Sequence, residues 1–156
     1  MTLWIAKIFG TGFGTGYAPK ASGTVGSALA AAMYWFIPQF PEPMFLSGAI
    51  VIFFAIGVWS ATILENKYGH DASEITIDEM VGQWIALLFL PKTTVAVGAA
   101  FALFRLFDII KPEPANALQR LPKGWGVMMD DVMAGVYANV ACQILLWAIE
   151  KSNAML

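Results

Sequence analysis

Apolar residues run along this chain in long blocks that do not alternate with polar ones. Five blocks stand out: Val25 to Ile37, Met44 to Leu64, Asp78 to Leu90, Thr93 to Phe107 and Val127 to Ile149. The first follows a Gly/Ser stretch and stops at Pro38, and the third stops at Pro91. Blocks of this length, rich in Ala, Leu, Met and Trp and lacking a period of two, predict helices and no strands. Met44 to Leu64 carries no charge and has about the 20 residues a membrane-spanning helix requires. The last block also reaches that length and is charged only at Asp130 and Asp131. The other three are short and are expected to extend into their polar flanks or to tilt. The run from Pro38 to Pro43 and the pair Pro91-Lys92 are long enough only to close helical hairpins. The expected fold is all-α: a polytopic membrane bundle of four to five hydrophobic helices, one domain over residues 1–156.

Composition supports a membrane setting. The chain is 58% hydrophobic and 13% charged, where soluble domains are about 25% charged. A net charge of -2 supplies no basic field for nucleic acid. Cys142, the single cysteine, sits in an apolar run and is expected to pack. Met1 to Ile8 is weakly apolar and runs into a glycine-rich stretch, so no cleavable signal peptide is expected.

The charges then sort by side. With a cytoplasmic N-terminus and one crossing per block, Lys7, Lys20, Lys67, Arg105, Lys111, Arg120 and Lys123 fall on the cytoplasmic side, and Lys92 and Lys151 opposite. That asymmetry follows the positive-inside rule. The acids Glu65, Asp71, Glu74, Asp78, Glu79, Asp108, Glu113, Asp130 and Asp131 gather on the same side, which leaves Glu42 and Glu150 across the membrane. Positive-inside does not govern acids, so their clustering points to a functional face.

Three acidic groups at helix ends carry the strongest chemical signal: Asp78-Glu79, Asp108 and Asp130-Asp131. A carboxylate on a membrane helix is costly unless it is paired, hydrated or bound to a cation. Five of them at one place would repel, and a hard, all-oxygen set suits Mg²⁺ or Mn²⁺. The alternatives are plain helix-dipole complementation and a proton or cation pathway. A second signal is the Ser/Gly/Thr loop Ala21-Ser22-Gly23-Thr24-Val25-Gly26-Ser27, which opens the first block. Its backbone N–H groups and hydroxyls suit a phosphate, or form an ordinary N-cap with glycine for close packing. The preceding Thr11-Gly12-Phe13-Gly14-Thr15-Gly16 lacks the strand and βαβ unit of a dinucleotide fingerprint. Arg105, Asp108 and Lys111 share one helical side, where Arg105 could grip a phosphate at two points or simply pair with Asp108. His70, beside Asp71 in a polar loop, is a candidate general acid or base.

Several phosphatase chemistries are excluded. Cys142 has no closely following arginine, one histidine cannot make a two-histidine site, and no Asp-x-Asp-x-Thr motif is present. The spaced Asp and Gly pattern of enzymes that transfer CDP-activated alcohols is also missing. A metal-dependent hydrolase with a helical site remains, beside a small cation or proton carrier and a non-enzymatic scaffold.

Taken together, Thr11 to Gly16, Gly23-Thr24-Val25-Gly26-Ser27, Gly69-His70-Asp71, Ile75-Thr76-Ile77-Asp78-Glu79, Phe104 to Pro112 and Gly126 to Asp131 resemble the phosphatidylglycerophosphatase A family, bacterial membrane lipid phosphatases. The resemblance runs from Gly10 to about Val136. It implies Mg²⁺-dependent hydrolysis of phosphatidylglycerophosphate to phosphatidylglycerol and phosphate at the inner membrane, on the cytoplasmic side. It maps the metal set onto Asp78, Glu79, Asp108, Asp130 and Asp131. The catalytic set is expected to be Asp78, Glu79, Asp108, Asp131 and His70, with Gly23, Thr24, Arg105 and Lys111 on the phosphate. Ser22 departs from the proline usual in that family, and Lys20 matches none of its motifs.

Overall fold

Proline, glycine and threonine set the helix ends. The computed structural model describes residues 1–69 and 72–154. It contains α1 (Thr2–Gly10), α2 (Ser22–Phe36), α3 (Pro43–Tyr68), α4 (Ile77–Leu87), α5 (Thr94–Ile110), α6 (Ala115–Leu118) and α7 (Gly124–Asn153), with one 3₁₀ turn at Thr15–Tyr17. Among the described residues there is no strand. Pro43 opens α3, where its missing N–H costs nothing. Gly69, at φ 97°, ends the same helix in a conformation that glycine adopts without strain. Thr93 caps α5 by accepting from the Ala96 amide at 3.2 Å.

The five expected blocks are helices, with shifted ends. α2 begins three residues early at Ser22, and α5 runs on to Ile110. α4 stops at Leu87, short of the expected Leu90. Side chains from neighbouring helices take up the carbonyls this early stop releases. Asn139 donates to the Ala86 carbonyl at 3.1 Å and the Leu88 carbonyl at 2.7 Å. Tyr34 donates to the Leu90 carbonyl at 3.1 Å. In an apolar medium this is what allows a backbone to leave the helix. α1 and α6 were not anticipated.

The hydrophobic helices α2, α3, α4, α5 and α7 alternate in direction. Ser22 Oγ donates to the Ser73 carbonyl at 2.7 Å, Gly124 N–H to Thr62 Oγ1 at 3.1 Å, and Lys111 Nζ to Asp130 Oδ2 at 2.6 Å. These bonds gather the starts of α2, α4 and α7 and the ends of α3 and α5 at one end of the bundle. At the other end Trp84 Nε1 donates to the Ala30 carbonyl at 3.0 Å, and Cys142 packs at Ala96. α3 and α7 are long and apolar enough to cross a membrane. At 1.5 Å per residue they span roughly 39 and 45 Å, against about 30 Å of hydrocarbon.

α4 is the central helix. Nine of its 11 residues are buried, and it packs against α2, α3, α5 and α7. Its closest neighbour is α7, and two glycines permit the approach. A Cβ on Gly82 would meet the Phe104 ring and stand 2.8 Å from the Asp131 carbonyl oxygen. A Cβ on Gly135 would stand 2.5 Å from the Gly82 carbonyl. Small residues at a helix crossing let membrane backbones come close. Gly82→Ala should therefore destabilise the bundle by about 1–3 kcal/mol, the usual cost of overpacking. A lowered melting temperature in detergent, despite the better helix propensity of alanine, is the expected result.

Candidate active site

The glycine-rich segment after α1 acts as a buttress for the start of α4. Thr15 Oγ1 lies 2.8 Å from Thr76 Oγ1, and the Thr76 amide donates to the Gly10 carbonyl at 2.9 Å. Gly16 lies so close to the Glu74 carbonyl that no Cβ would fit. The segment 11–16 thus fixes the residues that lead into Asp78 and Glu79, and has no nucleotide-binding role to explain.

Asp78 and Glu79 in the first turn of α4 face Asp131 in the second turn of α7. One carboxylate oxygen from each of the three falls within 4.8 Å of the others. Asp78 and Asp131 are buried. Asp78 Oδ1, Glu79 Oε2 and Asp131 Oδ2 are shut away from solvent and have no hydrogen-bond partner. Two buried carboxylates and a half-buried one held this close repel one another, and their sheltered oxygens gain nothing from water. A cation of high charge is what such a set fits, and carboxylate oxygens alone favour a hard one such as Mg²⁺ or Mn²⁺.

The remaining expected residues form a second layer. Asp108 accepts from Arg105 Nη1 at 2.6 Å and lies beside Asp131. Asp130 turns away from the triad to Lys111, with 2.6 Å between Oδ2 and Nζ. Lys111 also reaches Gln119 Oε1 at 3.5 Å. Both arginine–aspartate and lysine–aspartate contacts join α5 charges to the acidic end, but only Asp78, Glu79 and Asp131 share one point. His70 lies outside the described residues, as does its neighbour Asp71.

The start of α2 closes over this set. A Cβ on Gly23 would collide with Glu79 Oε1 and lie 3.1 Å from Arg105 Nη1. Ala21 occupies the N-cap with φ 51°, and no side chain caps the helix. Of the two readings of this loop, the ordinary side-chain cap is therefore absent. Gly23 in the first turn lies against Glu79 and Arg105, with Thr24 half-buried beside it. Ser22, at the family's proline position, ties the loop to the Ser73 carbonyl. Arg105 is held by Asp108 and by Ser27 Oγ at 3.4 Å, while its buried Nε is unpartnered.

Two contributors escaped the sequence reading. Ser27 lies one turn after Gly23 and steadies Arg105, so helical spacing from the glycine could have found it. Gln83 lies one turn after Glu79, is fully buried, and has both amide atoms without a partner. An uncharged polar residue inside an apolar block was the only signal it gave.

The description "Phosphatidylglycerophosphatase A" matches residues 8–146 of this sequence. The chain belongs to the phosphatidylglycerophosphatase A family. It is therefore an enzyme, a phosphatase. The phosphatidylglycerophosphatase A of Escherichia coli is 36% identical over 132 residues, covering 83% of this chain and 76% of that protein. The Haemophilus influenzae protein of the same name is 34% identical over 136 residues, 85% of this chain and 83% of its own. A Bacteroides thetaiotaomicron relative, whose name proposes a phosphatidylinositol-3-phosphatase, is 43% identical over 154 residues, 94% of this chain and 96% of its own. No solved structure matches the chain.

Two outcomes follow from this geometry for a member of the family. Gly23→Ala should push Glu79 and Arg105 apart and lower phosphate release on the order of 100-fold, since small displacements of reacting groups cost that much. Its melting temperature should change little, because the atoms displaced are side-chain ends. Lys111→Met should leave Asp130 buried without its cation and cost about 3–5 kcal/mol of stability. The pair Lys111→Met with Asp130→Asn should recover part of that loss in a double-mutant cycle of thermal unfolding.

Proposed function

We propose that this phosphatase removes the terminal phosphate of phosphatidylglycerophosphate, yielding phosphatidylglycerol and inorganic phosphate, with Mg²⁺ held by Asp78, Glu79 and Asp131. One observation carries the reading. Three carboxylates that bring an oxygen each within 4.8 Å of one another, each with a buried and unpartnered oxygen, stand beside an arginine that the start of a helix overhangs. Family membership, and the names of the Escherichia coli and Haemophilus influenzae relatives, point to the substrate.

When bound, Mg²⁺ would neutralise phosphate oxygens and lower the pKa of a water molecule. This chain's own residues do the rest. Arg105, oriented by Asp108 and Ser27, meets the charge that grows on phosphorus oxygens in the transition state. The uncapped N–H groups of Gly23 and Thr24 add dipoles of the same sign. Lys111 holds Asp130 away from the triad, so that the metal site keeps three carboxylates in place of four. The long apolar helices α3 and α7 lie in the bilayer, with the acidic end at the cytoplasmic surface of the inner membrane. The diacylglycerol part then stays in lipid while the headgroup reaches Arg105.

A second substrate has one specific observation in its favour, the name of the Bacteroides thetaiotaomicron relative. Both lipids end in a phosphate monoester, so the same residues serve either.

The test is phosphate release by purified protein in detergent, from phosphatidylglycerophosphate and from phosphatidylinositol 3-phosphate side by side. Activity is expected on the first lipid with Mg²⁺, and none in excess chelator. Asp131→Asn should lower turnover by a factor of about 1,000 or more, in keeping with losing the electrostatic seat of the reaction. Full turnover in chelator would overturn the metal reading. Faster turnover of the inositol lipid would move the substrate assignment to the second reading.

A further inference from the structure

The basic residues at the acidic end of the bundle also form a cluster that the proposed reaction does not use. Lys7 of α1 and Lys67 in the last turn of α3 bring their ammonium groups against each other. Each lies over an aromatic ring, Lys7 at 5.1 Å from the Trp4 centroid and Lys67 at 5.2 Å from that of Tyr68. The Tyr68 hydroxyl stands 3.4 Å from that of Tyr17. Among the described residues neither lysine has an acidic partner. The acid facing the two tyrosines is Glu74, which accepts from Ser73 Oγ at 3.4 Å.

Packing forces this meeting of like charges. Ala6 is fully buried, and Gly10 lies against Leu64 and Ser60 of α3 with no room for a Cβ. α1 is thus held flush on α3, which keeps the Lys7 and Lys67 positions side by side. Lys7 itself lines a groove of about 440 Å³ whose walls include Trp4, Ile8, Phe13 and Tyr17. Ile8 and Phe13 are about half exposed, at 52% and 48%. An apolar trough lined by Lys7 and Tyr17, with Lys67 and Tyr68 against them, has the complementarity of an amphiphile with an anionic head.

We infer that this groove binds a phospholipid of the surrounding bilayer with an anionic phosphodiester headgroup. Its phosphate lies on Lys7 and Lys67, and an acyl chain lies along Ile8 and Phe13. The site is separate from the carboxylate triad and needs only that the chain sits in a membrane. Two lysines near an anionic headgroup account for a preference on the order of tenfold over a zwitterionic lipid.

Trp4 makes the site readable without any turnover, so failure of the phosphatase reading would leave this result untouched. The full chain is placed in phosphatidylcholine nanodiscs doped with either phosphatidylglycerol or phosphatidylcholine carrying brominated chains. Trp4→Phe isolates the contribution of that residue to the quenching. The Trp4 emission should be quenched at roughly tenfold lower fractions of the brominated phosphatidylglycerol. Lys7→Gln with Lys67→Gln should abolish the difference and leave quenching by the phosphatidylcholine unchanged. Should that double variant fail to fold, raised salt on the unaltered protein must shrink the preference. Equal quenching by the two lipids, or a preference indifferent to both salt and the lysines, overturns the proposal. Loss of the preference in millimolar inorganic phosphate, with no lipid selectivity left to restore, would assign the lysines to free phosphate and overturn it as well.

Discussion

Three carboxylates pressed together away from water are the constraint around which this molecule is arranged. Among the described residues, Asp78, Glu79 and Asp131 have no lysine between them, and each keeps one buried oxygen without a partner. Such a set raises the energy of the fold unless a cation joins it. The neighbouring features serve to hold it. The 82–135 glycine contact draws α4 and α7 together, and the Thr15–Thr76 contact fixes the start of α4. The bare Cα of Gly23 lets the start of α2 settle over Glu79 and Arg105.

The other two acids explain why the triad stays a triad. Asp108 and Asp130 stand close to it, yet each is matched with a cation from α5, Arg105 and Lys111 respectively. The two pairs are not equivalent. Lys111 also contacts Gln119, so its ammonium is engaged by two partners. Arg105 keeps a buried nitrogen unpartnered next to the triad. Charge balance and chemical readiness are thus divided between Arg105 in the last turns of α5 and Lys111 just past its end.

Much of this was written in the residue pattern. Uninterrupted apolar blocks identified the hydrophobic helices α2, α3, α4, α5 and α7, and alternation in direction followed from short Pro-rich turns. Acids restricted to one set of block ends located the site, because nothing in membrane sorting confines carboxylates there. What the pattern left undecided was which acids share a point. Neighbours such as Asp130 and Asp131 project about 100° apart on a helix, so one faces Glu79 and the other Lys111, a choice made by packing. α1 was missed because Met1 to Ile8 is only weakly apolar, and α6 because four residues give no period to read. Gln83 and Ser27 were missed because a single polar side chain in an apolar run looks like tolerated noise until its burial is known.

The end of the bundle opposite the carboxylates is built as a stopper. Trp84 and Leu87 of α4 and Tyr34 of α2 are almost wholly buried in one continuous core. Asn139 and Tyr34 bond the loose carbonyls where α4 gives out. Close-packed apolar side chains thus lie between the carboxylates and that far end. With the acidic end at one membrane surface, as proposed, headgroup and released phosphate would come and go on that same side, and the reaction would leave the transmembrane gradient undisturbed.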